Sequence, residues 1–109
     1  MKNLINYPQV SILLPTYNAE KYIDQTLESI RDQEYPNIQI VIFDDCSSDN
    51  TALKINNFIE KNKNINIFFN VNKKDLGVTR NCNAILAKCT GKYISFFAGD
   101  DFMRSDKIL

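Results

Sequence analysis

Two pairs of adjacent acids follow apolar runs in this 109-residue chain: Asp44-Asp45 and Asp100-Asp101. Neighbouring carboxylates resist ionising together unless a cation or hydrogen-bond donors offset their charge. The chain has no histidine, so a metal bound by these groups would have oxygen ligands. Oxygen ligands favour a hard divalent ion, and the pattern predicts Mg²⁺ or Mn²⁺, shared with the phosphates of a substrate.

The elements that must position these acids alternate along the chain. Short apolar runs predict strands at 10–14, 38–43, 65–71 and 93–98, the first of them closed by Pro15. Amphipathic stretches between them predict helices. Strand-helix alternation with right-handed crossovers indicates an α/β fold, a Rossmann-like and mostly parallel sheet with helices on both faces.

The helix boundaries follow from capping residues. Asn18 is the predicted N-cap of a helix over 19–33, and Asp49 that of a second helix. Gly91 stands where a left-handed C-terminal cap would end the third. The residues of the third helix expected to face inward are Val78, Cys82, Ile85 and Cys89.

Ligands of such sheets bind beyond the carboxyl ends of the strands, where residues 15–18, 44–49 and 99–101 should meet. Successive residues of an extended segment point to opposite sides, so one acid of each pair should face the crevice while its neighbour braces the loop. Tyr17 could form a wall against a base, and Arg80 lies in a first helical turn, which favours an anion. Simpler alternatives stay open: acids that only cap helices, a surface tyrosine and a solvated arginine.

The composition narrows the class of partner. Thirteen basic and thirteen acidic residues cancel, so no broad positive surface is expected for nucleic acid or an anionic membrane. Three cysteines without paired spacing predict reduced thiols in a soluble, cytoplasmic protein. No run approaches the roughly 20 apolar residues of a membrane span. We therefore expect one domain that binds a small molecule.

Four motifs, in this order, closely resemble family 2 glycosyltransferases of the GT-A fold. They are Val10-Ser11-Ile12-Leu13-Leu14-Pro15-Thr16-Tyr17-Asn18, Asp44-Asp45-Cys46-Ser47-Ser48-Asp49, Gly77 to Asn81, and Gly91-Lys92-Tyr93-Ile94 leading to Asp100-Asp101. The resemblance covers nearly the whole chain from Val10. It implies the nucleotide-sugar-binding part of such an enzyme.

The resemblance also implies a role for each residue at the first two strand ends. Asp45 would accept a hydrogen bond from the imino group of uracil or a similar base. Tyr17 would pack against that base, and Pro15 would line the same pocket.

The remaining motif residues would bind the ribose and the diphosphate. By the same resemblance, Asp100 would hold the ribose, Asp101 would ligate the Mn²⁺ or Mg²⁺ that bridges the diphosphate, and Arg80 would lie close to the nucleotide. The metal would stabilise the leaving group while an acceptor hydroxyl attacks from the opposite face and inverts the anomeric centre. The catalytic base is expected beyond Leu109, so residues 1–109 are expected to be the donor-binding part, without a catalytic residue of their own.

The implied partners are a nucleotide-diphosphate sugar, UDP-linked, and a carbohydrate or lipid-linked acceptor. Such a protein would work in the cytoplasm, or at the inner face of the membrane. Two alternatives stay open. A phosphoacceptor receiver domain also gathers acids around Mg²⁺, although its acid pair follows the first strand. The other alternative is a non-catalytic nucleotide-binding module.

Overall fold

The computed structural model describes residues 7–97, in which strands and helices alternate along the chain. The strands are β1 Val10–Thr16, β2 Ile38–Asp44, β3 Asn66–Val71 and β4 Tyr93–Phe96, and the helices are α1 Ile23–Arg31, α2 Thr51–Lys61 and α3 Val78–Leu86. Every strand pair in this part of the chain is parallel, in the order β3-β2-β1-β4. None of its helices is long and apolar enough to cross a bilayer. The predicted α/β fold is confirmed.

The two central strands divide the core into two layers. Ile12 and Ile40 belong to the layer that packs against α1 and α2. Leu13 and Val41, one residue further along each strand, belong to the layer that packs against Ile85 of α3. Because helices cover both faces, β1 and β2 are almost unbroken apolar runs. Each fully buried aliphatic side chain contributes about 1.5–3 kcal/mol.

Pro15 lies inside β1, although the sequence predicts that it closes the strand. Residues of odd number in β1 bond to the β4 side, where Phe97 N donates to Leu13 O at 2.9 Å. The N–H that Pro15 lacks would point to that side, two residues past the Leu13–Phe96 pair that is the last one described between β1 and β4. None of the described hydrogen bonds between β1 and β4 needs an N–H at position 15, so β1 continues to Thr16.

The predicted start of the first helix is wrong. Asn18 has a φ of +48° and is not an N-cap. Its Oδ1 instead accepts a hydrogen bond from Ser48 N at 2.9 Å, in the loop after β2. Helix α1 begins at Ile23 and ends at Arg31, two residues before the predicted Gln33. The Asn18 side chain thus bonds to the backbone of a distant loop and not to the start of α1, because its amide oxygen can accept a hydrogen bond from either.

Two predictions around α3 are also wrong. Val78 is the first residue of α3 and is 76% exposed, whereas Ile85 is buried as predicted. Gly91 does not adopt the left-handed conformation of a C-terminal cap. A Cβ at this position would lie 2.6 Å from Ser11 N, so a close approach to β1 requires the glycine.

Candidate functional site

The carboxyl ends of β1, β2 and β3 lie side by side. Thr16 pairs with Asp44, and Asp44 pairs with Val71. Backbone hydrogen bonds extend this alignment by one residue, since Asp45 N donates to Thr16 O and Asn72 N donates to Asp44 O, both at 2.8 Å. The loops after these strands therefore begin at one edge of the sheet, where the sequence predicts the site.

Asp44, the first acid of its pair, braces the loop after β2. Its Oδ1 accepts hydrogen bonds from Thr16 Oγ1 at 2.6 Å and Ser47 Oγ at 2.7 Å, and its Oδ2 accepts one from Ser47 N at 2.9 Å. The side chain is fully buried. Three donors serve this carboxylate, as they serve that of Asp45, but complete burial keeps Asp44 from the crevice, so this acid braces the loop.

Asp45, the second acid, holds the loop that precedes α3. Its Oδ1 accepts hydrogen bonds from Leu76 N at 2.7 Å and Asn72 Nδ2 at 3.0 Å, and its Oδ2 accepts one from Gly77 N at 3.0 Å. An ionised carboxylate offers about four acceptor positions. Among the described residues, N–H donors fill three of them, so one position on Oδ2 has no N–H donor, and the Asp75 side chain lies next to the same carboxylate.

The protonation state of Asp45 follows from the same contacts. Burial raises the pKa of Asp45, which is only 5% exposed. The hydrogen bonds from the Leu76 amide and the Asn72 side chain, the contact with the Asp75 side chain and the hydrogen bond from the Gly77 amide together outweigh burial and hold the pKa below its ordinary value. Asp45 is therefore a pure hydrogen-bond acceptor at neutral pH.

Two asparagines to which the sequence analysis assigned no role connect Asp45 to β2. Asn72 Nδ2 also donates to Asn81 Oδ1 at 2.8 Å, and Asn81 Nδ2 donates to Phe43 O at 3.0 Å. The exposed fractions of Asn72 and Asn81 are 8% and 2%. A signal was available for one of them, since Asn81 lies four residues before Ile85 and shares its inward helix face.

The loops after β1 and β2 are joined by reciprocal hydrogen bonds. Ala19 N donates to Thr51 Oγ1 at 2.8 Å, and Asn50 N donates to Glu20 Oε1 at 3.0 Å. The N-cap of α2 is Asn50 and not the predicted Asp49, although Asp49 Oδ1 still accepts a hydrogen bond from Thr51 N at 3.0 Å at the start of the helix. These contacts fix the two loops relative to each other at the edge where Asp45 lies.

The other predicted site residues within the described part of the chain stand at the same edge. Tyr17 directly follows β1 and is 57% exposed. Pro15 is half-buried near the end of β1. Arg80 is exposed in the first turn of α3, three residues after Gly77, whose amide reaches Asp45. The side chains of Tyr17 and Arg80 are thus exposed to solvent.

The predicted ribose and metal ligands, Asp100 and Asp101, lie outside the described residues. Within residues 7–97, no group of three or more His, Cys, Asp or Glu side chains could hold a metal ion. Cys46, which follows Asp45, is an exposed free thiol with a φ of +62°. The expectation of a metal therefore depends on the second acid pair.

A shallow cleft of about 370 Å³ lies beside this edge, lined by Asn72, Lys73, Lys74, Leu76 and the end of β3. Another cavity, of about 270 Å³, lies where β2 and β3 begin. Its lining contains no acid, and the length of β2 separates it from Asp45. The first acid pair that the sequence singles out therefore lies at the carboxyl edge and not at this cavity.

The same architecture occurs in a glycosyltransferase of known structure. Staphylococcus aureus TarS 1–349, solved in complex with UDP, superposes with a TM-score of 0.80 at 30% sequence identity, covering 92% of this chain and 30% of that one. The fold of residues 7–97 is thus that of the GT-A glycosyltransferases.

The chain belongs to glycosyl transferase family 2, whose pattern matches residues 11–109. An uncharacterized glycosyltransferase of Haemophilus influenzae is 39% identical over 104 residues, which is 95% of this chain and 41% of that protein. The Escherichia coli UDP-Glc:alpha-D-GlcNAc-diphosphoundecaprenol beta-1,3-glucosyltransferase WfgD is 34% identical over 99 residues, 91% of this chain and 38% of that protein. The chain therefore spans well under half the length of both relatives. Membership in this family removes the support for a receiver domain.

Proposed function

We propose that residues 1–109 form the donor-binding part of a glycosyltransferase that uses a UDP-linked sugar. The complete enzyme would transfer the sugar to a hydroxyl of a carbohydrate or lipid-linked acceptor by an inverting, metal-assisted displacement. The observation on which the proposal depends is the ionised carboxylate of Asp45, which lies at the carboxyl edge with one acceptor position of Oδ2 open to a further N–H donor beside Asp75.

A uracil base satisfies that open position. Its imino group is a hydrogen-bond donor, and a donor that meets an ionised carboxylate forms a charge-assisted bond, about twice as strong as a neutral one. Cytosine has an acceptor at the corresponding ring nitrogen, so its lone pair would face that of Asp45. The carboxylate is thus suited to a base with an imino N–H and unsuited to cytosine.

Tyr17 and Pro15 supply the apolar side of the same pocket. The ring of Tyr17 is 57% exposed at the end of β1 and free to pack on the face of a base. Such base–aromatic stacking contributes about 1–3 kcal/mol. Arg80 would add a positive charge near the diphosphate, where the N-terminus of α3 already favours an anion. The choice of UDP is supported by the UDP complex of TarS and the UDP-Glc named for WfgD.

The metal part of the proposal concerns the second acid pair. Asp101 would ligate Mn²⁺ or Mg²⁺, and Asp100 would bind the ribose. Carboxylate oxygens fit either ion, which keeps several waters and shares the substrate's phosphates. When bound, such a cation stabilises the diphosphate leaving group as a Lewis acid. Residues 1–109 would contribute binding and orientation of the donor, and the base and acceptor surface would belong to the complete enzyme.

Calorimetric titration of the 109-residue chain tests donor binding. We expect UDP to bind, and to bind more tightly with Mn²⁺ than without it, because the cation offsets the diphosphate charge. CDP should bind about 10- to 100-fold more weakly, the equivalent of one hydrogen bond to a charged group. Absence of UDP binding under both conditions, with circular dichroism proving a folded chain, would refute the proposal. Binding indifferent to Mn²⁺ would favour the non-catalytic module.

Replacing Asp101 tests the metal ligand separately. Asp101→Ala should abolish the enhancement of UDP binding by Mn²⁺ and leave the weaker, metal-free binding in place, since Asp45 and Tyr17 are unchanged. Asp106→Ala is the matched control, because it removes a carboxylate five residues later. If Asp101→Ala keeps the full response to Mn²⁺ in calorimetry, Asp101 is not the ligand.

A further inference from the structure

Side-chain amides form a continuous hydrogen-bonded path from the backbone of β2 to the carboxylate of Asp45. Phe43 O accepts from Asn81 Nδ2 at 3.0 Å, Asn81 Oδ1 accepts from Asn72 Nδ2 at 2.8 Å, and Asp45 Oδ1 accepts from Asn72 Nδ2 at 3.0 Å. We call Asn72 and Asn81, with these three bonds, the amide relay. Both side chains are at least nine-tenths buried, so each polar atom needs its partner.

The relay has one orientation. Asn81 must turn its Nδ2 toward the carbonyl of Phe43, which leaves its Oδ1 facing Asn72. Asn72 Nδ2 then donates one proton to Asn81 and the other to Asp45, so both of its protons are used. If the Asn72 amide were turned over, two oxygens would face each other at Asp45 and again at Asn81.

This orientation decides which oxygen of Asp45 remains available. Oδ1 receives two donors, from Asn72 and from the Leu76 amide, and is filled. Oδ2 receives one N–H donor among the described residues, from Gly77, and shares it with Asp75 Oδ1. We propose that Asn72 and Asn81 are positioning residues that fix the Asp45 carboxylate with Oδ2 toward the base, and so set the preference for a base with an imino N–H. This inference rests on the proposed role of Asp45 as the base-binding group.

A purely structural role makes a different prediction. Buried amides that only hold α3 against the sheet would, once removed, weaken the fold and lower the affinity for every nucleotide alike. Positioning residues change the discrimination between bases. The ratio of the UDP and CDP affinities therefore separates the two roles, since the ribose and diphosphate are common to both ligands.

The test uses Asn72→Leu, which keeps the branch at Cγ and removes the donor to Asp45. We expect the UDP-to-CDP affinity ratio, measured by calorimetry on the 109-residue chain, to fall at least about tenfold, because Asp45 loses the bond that fixes its plane. CDP binding should change little. Asn72→Ala should lower the UDP-to-CDP affinity ratio by the same factor. Because alanine is too small to clash, a fall in both variants does not come from steric overlap.

Gln39→Leu is the matched control. Gln39 is also a buried amide of β2, and its Oε1 accepts from Ser11 Oγ at 2.6 Å and from Thr90 N at 3.0 Å. It lies six residues before Asp45, about 20 Å along the strand. Gln39→Leu should lower Tm as Asn72→Leu does, but should leave the UDP-to-CDP ratio unchanged.

The outcomes distinguish this inference from the proposed function. If the unsubstituted chain binds no UDP, the proposed function fails. If it prefers UDP and both Asn72 variants keep the full ratio, the donor site stands and the amide relay has no positioning role. Should the variants not fold, NMR of the unsubstituted chain decides: UDP should shift the side-chain NH₂ signals of Asn72 more than CDP does, and equal shifts would overturn the inference.

Discussion

Asp45→Asn is expected to exchange the base preference, so that UDP binding weakens by about 10- to 100-fold and CDP binding strengthens. The carboxylate of Asp45 meets donors on both oxygens, two at Oδ1 and one at Oδ2. An asparagine must place its NH₂ group on one of these sides. The NH₂ group should take the Oδ2 position, because it faces one N–H donor there and would face two at the Oδ1 position.

That choice turns the group that faces the base from an acceptor into a donor. An amide NH₂ donates well to the ring nitrogen of cytosine but opposes the imino N–H of uracil. The Gly77 amide, which loses Asp45 Oδ2, keeps a second acceptor in Asp75 Oδ1 at 3.2 Å. The variant should therefore fold, with a loss of about 1 kcal/mol or somewhat more.

Parallel calorimetric titrations with UDP and CDP check the exchange. Asp49→Asn is the matched control at the same edge, because Asp49 also accepts backbone hydrogen bonds, from Thr51 N at 3.0 Å and Glu20 N at 3.3 Å. It should lower stability and leave the base preference alone. An Asp45→Asn chain that retains the preference of the unsubstituted chain would show that another group reads the base.

The sheet and the location of the candidate site could be predicted because their signals are local. Buried strands of a parallel sheet are continuous apolar runs, and β1 and β2 meet that description. Once the sheet is parallel, the residues after each strand must reach one edge, so Asp45 and Tyr17 come together without further information. This explains how residues 28 positions apart could be assigned to one site.

The loop structure could not be predicted, because it depends on pairs of residues far apart in sequence. Asn18 has the local chemistry of an N-cap, yet its side chain bonds to Ser48 N. Asn72 looks like an ordinary polar loop residue until the fold sets it between Asp45 and Asn81. Residue type alone does not say which partner a short polar side chain will take.

Gly91→Ala is expected to destabilise the chain by about 1–3 kcal/mol through overpacking between β1 and the turn before β4. An added Cβ would lie 2.6 Å from both Ser11 N and Ser11 Oγ and 2.9 Å from Gln9 O. Two of these three atoms belong to the backbone, which cannot move without disturbing β1. In thermal unfolding, Tm should fall by at least about 5 °C.

Gly77→Ala separates this contact effect from backbone strain. Gly77 has a φ of +83° and a ψ of 163°, a conformation nearly restricted to glycine, and a Cβ there would meet nothing within 4 Å. Gly77→Ala should therefore destabilise the chain through its backbone conformation alone, whereas Gly91→Ala acts through contact with β1. If Gly91→Ala unfolds at the temperature of the unsubstituted chain, β1 and the turn before β4 can separate at little cost, and the close approach is not what requires glycine at position 91.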